Sequence, residues 1–263
     1  MKNIQKKYEK KFGQNFLKNQ QIINEIINFS EISKESSVYE IGPGDGALTR
    51  EVIKINPKKF IAVEIDIGLK DRLDILFSNT RHQIIYADAL KFEETSYFTD
   101  KTIVIGNLPY NISIQLLIKW IHQYSKKKWI KTMILMFQKE VAERIISDQN
   151  SKKYGRITLL ASALFNISFL MNINKKDFFP IPKVDSTLLK FEPLETPHLD
   201  EEQIYKLEFL SNQLFSSRRK KLKNKILALF NPQIIKKNNL EQYYDLRAEN
   251  LSRDIFFSLA KLL

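Results

Sequence analysis

A side-chain amide, a proline and an aromatic ring stand together directly after an apolar run. The apolar run is Thr102 to Ile105, which is typical of a buried strand, and the segment Asn107-Leu108-Pro109-Tyr110 follows it. An amide oxygen and neighbouring backbone carbonyls can accept hydrogen bonds from the amino group of a flat base. Proline fixes the backbone, and a tyrosine ring can stack on a base for about 1–3 kcal/mol. Taken alone, the four residues are explained more simply as a strand end and a proline turn.

A glycine-rich segment earlier in the chain is the second chemically useful feature. It is Glu40-Ile41-Gly42-Pro43-Gly44-Asp45-Gly46, between a strand-like run and a helical one. Glycines at alternate positions let the backbone turn tightly and approach a ligand closely. The spacing differs from that of dinucleotide-binding loops, in which two residues separate the second and third glycines. The lysine and serine of a phosphate-binding loop are also missing, which argues against nucleoside triphosphate hydrolysis.

Candidate ligand-binding residues stand at the ends of four successive predicted strands. Glu64 ends the strand after the glycine loop, about 20 residues beyond Gly42, as expected of an acid that accepts from ribose hydroxyls. Asp88 follows the third strand and Asn107 the fourth. Each acid alone could be a surface carboxylate or a helix cap. Because ligands of open α/β sheets bind at the carboxyl ends of strands, Gly42, Glu64, Asp88 and Asn107 together predict an adenosine-binding site.

The apolar periodicity around these segments alternates between strand and helix. Helices are predicted at Gln20–Phe29, Ala47–Ile53, Leu69–Phe77 and Ile112–Ile121. The predicted strands are Val38–Ile41, Phe60–Val63, Gln83–Tyr86, Thr102–Ile105, Met133–Phe137, Ile167–Met171 and Ser186–Phe191. The alternation predicts a mostly parallel sheet of βαβ units. The last two strands flank a proline-containing segment without helical periodicity, so we expect at least one of them to run antiparallel.

A change of pattern near residue 196 predicts two domains. The segment Glu192 to His198 contains two prolines and is typical of a linker. Beyond it the leucines recur at helical spacing and no strand is predicted. We therefore expect an α/β domain over 1–196 and a small all-helical domain over 197–263.

The net charge is +12, from 42 Lys and Arg against 30 Asp and Glu. Such an excess favours polyanionic partners through phosphate neutralisation, although scattered lysines are often only a solvated surface. Clustering favours nucleic acid here. The basic clusters are Lys6, Lys7, Lys10 and Lys11; Lys126 to Lys128; and Ser216 to Lys225, which contains Arg218, Arg219, Lys220 and Lys221.

Several classes of protein are disfavoured by what the sequence lacks. Cysteine is absent, which excludes disulfides and thiolate metal sites. The three histidines, His82, His122 and His198, are dispersed and lack ligand spacing, so no metal is expected. The N-terminal residues do not resemble a secretory signal, and no apolar run has the length of a membrane span. We expect a cytoplasmic protein.

A family resemblance covers nearly the whole chain. Its motifs are Phe12-Gly13-Gln14-Asn15-Phe16-Leu17, Glu40 to Thr49, Glu64-Ile65-Asp66, Asp88-Ala89-Leu90, Asn107 to Ser113, Phe178 to Ser186, Arg218-Arg219-Lys220 and Arg247 to Ser252. With these the chain resembles the S-adenosylmethionine-dependent ribosomal RNA adenine N6,N6-dimethyltransferases. It is most similar to the branch that modifies two adjacent adenines near the 3′ end of small-subunit (16S) rRNA. One departure is Ala87, where the family often has glycine.

The resemblance implies a fold and a set of site residues. The fold would be a Rossmann-like class I methyltransferase sheet of seven strands, the last antiparallel, with a small helical C-terminal domain. Asn15 and Leu17 would close over the cofactor, a role that the residues alone do not predict. Gly42 would approach the methionine end of the cofactor, and Glu64 would approach its ribose. Asp88 would contact the adenine amino group, and Asn107 would bridge the cofactor and target sites.

For the target base, we expect Asn107 and the Leu108 carbonyl to accept the two N6 hydrogens. Tyr110 would stack on one face and Phe178 on the other, although Phe178 could equally be a core aromatic. The RNA phosphates are expected to contact Lys18, Lys183 and the basic run, which contains Arg218, Arg219, Lys220 and Lys221.

The implied partner is small-subunit rRNA within an immature 30S particle, bound by a monomeric protein. Three alternatives stay open at this point. The chain could methylate large-subunit rRNA, it could methylate DNA adenine, or it could be an assembly factor for which methylation is secondary.

Overall fold

The structure is a computed structural model that describes residues 14–99 and 101–263. The predicted basic cluster of Lys6, Lys7, Lys10 and Lys11 lies outside the described residues, as do Phe12 and Gly13 of the first family motif.

The described residues form two sheets. In chain order the strands are β1 (Phe16–Leu17), β2 (Ser37–Ile41), β3 (Lys59–Glu64), β4 (Gln83–Tyr86), β5 (Thr102–Asn107), β6 (Ile130–Gln138), β7 (Phe165–Ile173), β8 (Phe178–Phe179) and β9 (Ser186–Pro193). Seven strands form one sheet in the spatial order β4-β3-β2-β5-β6-β9-β7, and β1 pairs with β8 in a separate two-stranded sheet.

The seven-stranded sheet confirms the predicted fold class. Strands β2, β3, β4, β5 and β6 form parallel pairs, and β9 runs antiparallel to β6. Strands β2 and β5 are buried along nearly their whole length because both faces are covered, which explains their Val and Ile residues. The order reverses at β2, where chain crossings leave in opposite directions and a crevice opens at the carboxyl ends of the strands.

The helices follow the predicted pattern and add several that the sequence did not suggest. They are α1 (Gln20–Ser30), α2 (Ala47–Ile55), α3 (Lys70–Phe77), α4 (Glu94–Tyr97), α5 (Ser113–Lys126), α6 (Lys139–Ile145), α7 (Arg156–Ser162), α8 (Glu201–Phe215), α9 (Lys223–Leu229), α10 (Pro232–Lys237) and α11 (Arg253–Leu262). Side-chain caps begin four of the described helices, because Asn19, Asp200, Asn231 and Ser252 accept hydrogen bonds from backbone amides of α1, α8, α10 and α11. Helices α6 and α7 are short and were not predicted.

The described chain divides into two compact units. The first contains the residues up to Leu116, Trp129–Lys139 and Phe169–Phe191, and the second contains Leu117–Lys128, Glu140–Ser168 and Glu192–Leu263. The second unit thus includes segments that precede residue 196. The two-domain division at that residue stays a prediction. Between 197 and 263 the described backbone forms α-helices and short 3₁₀ turns, with no strand.

Each unit has its own apolar core. In the first, Val38, Ile103 and Ile105 of the sheet pack with Ile26 of α1 and Val52 of α2. On the other face of β2, the ring of Tyr39 lies 5.5 Å from that of Phe98, which stacks on Trp129.

In the second unit, Phe215 of α8 stacks on Phe256 of α11 at 5.6 Å between ring centroids. The ring of Tyr154 meets both of them edge-on. These contacts fix the two longest C-terminal helices against each other. Among the described helices, none has the length and apolar character needed to cross a membrane.

Candidate active site

A cavity at the carboxyl ends of β2, β3 and β5 brings together most of the predicted site residues. Its walls come from four short segments: the stretch around β1, the glycine loop after β2, the end of β3 and the turn after β5. The lining residues are Gln14, Asn15, Phe16, Leu17, Glu40, Gly42, Pro43, Gly44, Asp45, Ala47, Leu48, Glu64, Ile65, Asn107, Leu108, Pro109 and Tyr110.

The glycine loop is shaped by backbone conformations that favour glycine. Gly42 and Gly44 have φ of +63° and +59°, in the left-handed region that other residues rarely adopt. A Cβ on Gly44 would also lie 2.8 Å from Cδ1 of Phe16. The loop therefore leaves its backbone bare toward the cavity, and Phe16 lies directly against it.

Glu64 is 4 % exposed and is held by two backbone amides. Its Oε2 accepts from the Gly44 amide at 3.1 Å, and its Oε1 accepts from the Asp66 amide at 2.9 Å. Burial raises the pKa of this carboxyl above its usual value, while the backbone hydrogen bonds oppose that shift. Glu64 thus joins the end of β3 to the glycine loop and places a carboxylate at the cavity wall.

Glu40 is a second buried carboxyl group, for which the sequence suggested no role. Thr49 donates a hydrogen bond to its Oε2 at 2.8 Å. Burial raises the pKa of Glu40 to about 8, and the nearby Glu64 and Asp45 act in the same direction. The side chain is therefore mostly protonated at neutral pH. A signal was present in the sequence, because Glu40 lies within a strand that is otherwise apolar.

Asn107 ends β5 with its side-chain amide in a defined orientation. Its Nδ2 donates to the backbone carbonyl of Asn15 at 2.8 Å. Its Oδ1 accepts no hydrogen bond from the residues that the structure describes, so an acceptor remains for a ligand. The next residue, Leu108, is buried, while its backbone turns with Pro109 along the cavity wall.

Tyr110 is half-buried at the same wall, and its hydroxyl lies 2.7 Å from Oγ of Ser186, the first residue of β9. Burial raises the pKa of the Tyr110 phenol, so it stays protonated at neutral pH. The ring is available for stacking and its polar end has a partner.

The stretch around β1 is attached to the cavity by several independent contacts. Phe16 and Leu17 pair with Phe179 and Phe178 of β8. Lys18 forms an ion pair with Asp45 in the glycine loop.

Two further contacts hold the ends of this stretch. Gln14 donates to Asp66 at 3.0 Å. The backbone amide of Lys18 donates to the carbonyl of Asp177 at 2.8 Å. The segment therefore covers the cavity and connects it to the chain that follows β7.

Two of the residues predicted to bind the cofactor or the target base lie outside the lining. Asp88 comes at the end of β4 as expected, but its Oδ1 accepts from the backbone amide of Leu90 at 2.9 Å and its side chain does not line the cavity. Phe178 is 2 % exposed and packs in the core with Leu17 and Ile22, whereas the next residue, Phe179, is 42 % exposed. Alternation along β8 turns one phenylalanine inward and the other outward. The roles of Asp88 and Phe178 stay predictions.

The basic run in the second unit is divided between structural and accessible side chains. Arg218 donates from Nη2 to the Tyr154 carbonyl at 2.5 Å, and its Nε lies 3.3 Å from Oε2 of Glu249. Lys221 is paired with Asp245 at 2.7 Å. Arg219 and Lys220 are exposed and form no ion pair with any side chain in the described ranges. The predicted RNA contacts therefore differ in their availability.

A cleft beside this run adds further cations and an aromatic ring. Lys223 Nζ lies 5.9 Å from the centre of the Tyr244 ring, and Lys225 Nζ donates to the Leu214 carbonyl at 2.7 Å. Burial lowers the pKa of Lys225. The lining residues are Gln213, Ser216, Ser217, Lys220, Lys221, Lys223, Asn224, Lys225, Ala228, Leu229, Tyr244 and Asp245. The sequence had not indicated Tyr244.

Comparison with known proteins matches this arrangement to one family. The model of the family described as "Ribosomal RNA adenine dimethylase" matches residues 5–263. The chain belongs to this family. A relative from Pelagibacter ubique (strain HTCC1062), "Ribosomal RNA small subunit methyltransferase A", is 39% identical over 261 residues, which are 97% of this chain and 96% of the relative.

Solved structures agree on the fold. A dimethyladenosine transferase from Plasmodium falciparum has a TM-score of 0.76 and 26% identity, covering 94% of this chain and 98% of that one. The 23S rRNA methyltransferase ErmE has a TM-score of 0.70 at 22% identity, covering 95% of this chain and 99% of that one.

The dimethylase family and the Rossmann-like fold imply the use of S-adenosylmethionine. The cavity fits such a group in three respects. The bare glycine loop allows a close approach, the Glu64 carboxylate offers acceptors to hydroxyls, and apolar side chains such as Leu17 and Leu48 line the remaining wall. In the described ranges, no cluster of side chains has the composition of a metal site.

Proposed function

We propose that the protein dimethylates N6 of two adjacent adenosines near the 3′ end of small-subunit (16S) rRNA, using S-adenosylmethionine, during small-subunit assembly. One observation carries the proposal. Asn107, whose Oδ1 has no donor among the described residues, and Tyr110 line the same cavity as the glycine loop and Glu64. A relative named as a small-subunit methyltransferase at 39% identity supports the choice of RNA.

Cofactor binding is assigned to the residues around the glycine loop. Gly42 takes the methionine end, Glu64 accepts from the ribose hydroxyls, and Asn15 and Leu17 cover the group from the N-terminal side. The contact of Asp88 with the adenine amino group requires a cavity that extends toward the end of β4. When bound, S-adenosylmethionine supplies a methyl group on a positively charged sulfur.

Asn107 and the Leu108 carbonyl orient the target nitrogen. The lone pair of adenine N6 is delocalised into the ring, so the nitrogen is a poor nucleophile. Two acceptors that bind its two hydrogens favour a pyramidal nitrogen with its lone pair directed to one side. The Asn15 carbonyl fixes the Asn107 amide so that Oδ1 is the atom presented. Orientation of this kind is worth on the order of 7–11 kcal/mol in favourable systems, so no prior deprotonation is needed.

Tyr110 stacks on the target adenine, which must leave its own stack to reach the cavity. For the second face, Phe178 is the residue that the family resemblance implies. Its burial makes Phe179, which is exposed and pairs with Phe16, the competing candidate.

The exposed lysine and arginine side chains of the second unit bind RNA phosphates. Arg219 and Lys220 are exposed, and Lys223 lies near Tyr244 in the basic cleft. Arg218 acts as an internal brace, because Glu249, the Tyr154 carbonyl and the Phe215 ring already occupy its guanidinium group. In the first unit, Lys183 is exposed and Lys18 is paired with Asp45. Such contacts position the RNA without reading its sequence.

The decisive experiment offers radiolabelled S-adenosylmethionine with three acceptors: unmethylated small subunits, large subunits and duplex DNA. We expect label only in small-subunit rRNA, recovered as dimethyladenosine after digestion. Label in large-subunit rRNA or DNA would replace the proposed substrate. Tight binding to small subunits without any label would instead favour an assembly factor.

A further inference from the structure

We infer that Ser186 is a positioning residue that sets the orientation of the Tyr110 ring for stacking on the target base. The inference rests on the proposed function, because it concerns how that base is held. It assigns a role to a residue at the start of β9 that does not itself line the cavity.

The hydroxyl groups of Tyr110 and Ser186 form a hydrogen bond with each other. Tyr110 Oη and Ser186 Oγ are 2.7 Å apart, and Ser186 is 0 % exposed. Within the described residues, neither hydroxyl has another hydrogen-bond partner. A buried hydroxyl without a partner is costly, so each group stabilises the position of the other.

Ser186 itself is fixed by the main sheet. It stands opposite Gln138 in the antiparallel pairing of β9 with β6, and the carbonyl of Asp185 accepts from the Lys139 amide at 3.0 Å. Strand β6 is also the neighbour of β5, with Asn107 opposite Met136. Ser186, which anchors the Tyr110 ring, and Asn107, which orients the target nitrogen, therefore lie on strands that both pair with β6.

Fixing the end of a tyrosine ring determines its plane. The ring turns about two side-chain bonds, and a hydrogen bond at its far end selects one combination of the two. Stacking needs the ring plane parallel to the base, so a ring that is already oriented loses less entropy when the base arrives. The hydroxyl of Tyr110 thus acts through orientation and takes no part in proton transfer.

A double-mutant cycle tests the inference with unmethylated small subunits as substrate. Ser186→Ala and Tyr110→Phe should each lower kcat by roughly tenfold and change KM by less than about twofold, because orientation affects the transfer step more than RNA binding. The double variant should be no slower than either single variant, because both changes remove the same interaction.

A neighbouring hydroxyl supplies the matched control. Thr187 is also buried, but its hydroxyl donates to Asn172 at 2.8 Å, whereas the hydroxyl of Tyr110 is paired with Ser186. Thr187→Val should cost similar thermal stability and leave kcat unchanged. Equal loss of kcat in Thr187→Val and Ser186→Ala would reduce Ser186 to a structural residue.

Fluorescence of 2-aminopurine at the target position gives a readout that simple destabilisation does not move. Stacking quenches this base, so bound RNA should be brighter with Ser186→Ala than with the parental protein or Thr187→Val. Equal quenching in all three, or additive losses of kcat in the cycle, would overturn the inference. If the parental protein labels no small-subunit rRNA, the proposed function fails first, and the two failures are thereby distinguished.

Discussion

The cavity of the first unit and the basic cleft of the second differ in how completely their polar side chains are held by partners. In the cavity, both oxygens of Glu64, the nitrogen of Asn107 and the hydroxyl of Tyr110 each have a defined partner. Around the cleft, Arg219 and Lys220 are exposed and unpaired among the described residues. Direction matters where a methyl group is transferred, whereas phosphate attraction depends on charge and tolerates motion. Substitutions in the two regions should therefore affect different quantities.

The largest effect is expected from Asn107→Ala. The change removes the acceptor that orients N6, so we expect kcat to fall by at least about 1,000-fold, comparable to the loss of a preorganised polar group in other active sites. RNA affinity and the unfolding temperature should change little. Single-turnover transfer to unmethylated small subunits measures the effect. Asn24→Ala, which removes an exposed amide from the same unit, is the control. Transfer at the parental rate by Asn107→Ala would disprove the orienting role.

Gly44→Ala should act on cofactor binding. The new methyl group would collide with Phe16 at 2.8 Å and the residue would keep a φ of +59°. Strain and collision of this kind cost of order 1–3 kcal/mol, so the Kd for S-adenosylmethionine should rise about 10- to 100-fold by calorimetry. Gly155→Ala is the matched control, because a Cβ there meets nothing within 4 Å. A parental Kd for Gly44→Ala would show that the glycine loop does not contact the cofactor.

Substitution of the two phenylalanines of β8 separates packing from stacking. Phe178→Leu should lower the free energy of unfolding by about 1–2 kcal/mol, since the residue is buried, while Phe179→Leu should not. Whichever change lowers transfer about tenfold beyond its effect on stability identifies the ring on the second face of the base. Urea unfolding and kcat are measured on both variants. Parental transfer by both would leave that face without an aromatic contact.

A smaller effect is expected in the second unit, where loss of charge should be separable from loss of structure. Lys220→Ala with Lys223→Ala should weaken RNA binding about tenfold. Each lost phosphate contact should also reduce the salt slope of log K by roughly 0.7–0.9. Arg218→Ala should instead destabilise folding by about 1–3 kcal/mol, because Glu249 and the Tyr154 carbonyl lose their partner. An unchanged salt slope in the lysine variant would make the cleft an ordinary solvated surface.

The pH dependence of stability should reveal the proton on Glu40. Its folded-state pKa of about 8 lies above the ordinary value of 4.5. The folded protein therefore holds a proton that the unfolded chain releases. Glu40 contributes stability that is full below about pH 4.5 and is lost as the pH rises toward 8.

Glu40→Gln should remove that slope, roughly 3–4 kcal/mol between pH 5 and 8, as measured by urea unfolding. Thr49 can still donate to the amide oxygen. Glu35→Gln, which changes an exposed carboxylate, is the control. If the free energy of unfolding had the same pH dependence in Glu40→Gln and in the parental protein, Glu40 would not be protonated in the folded state.

Residues whose role depends on one strand and its end were predictable from the sequence. The apolar runs locate the seven strands, and the rule for ligands at carboxyl ends then selects Gly42, Glu64 and Asn107. Asp88 also follows the carboxyl end of a strand, but it does not line the cavity. Its carboxylate instead accepts a hydrogen bond from the backbone amide of Leu90.

Roles that depend on contacts between distant segments were not predictable. Strands β1 and β8 have two residues each, too few to show periodicity, and are far apart in the chain. The pairing of Tyr110 with Ser186 and the bracing of Arg218 by Glu249 are likewise tertiary contacts between ordinary-looking residues. Only the folded arrangement distinguishes them from surface side chains.

The position of β9 has a consequence for how the protein is made. This strand is synthesised after every other strand, yet it lies between β6 and β7 in the interior of the sheet. Until a ribosome has added it, the nascent chain has open hydrogen-bonding edges on both neighbours, and such edges invite pairing with other chains. The same strand brings Ser186 to Tyr110. Addition of β9 thus closes the sheet and completes the surroundings of Tyr110 in a single step, so a product interrupted before this strand would be both prone to aggregation and inactive.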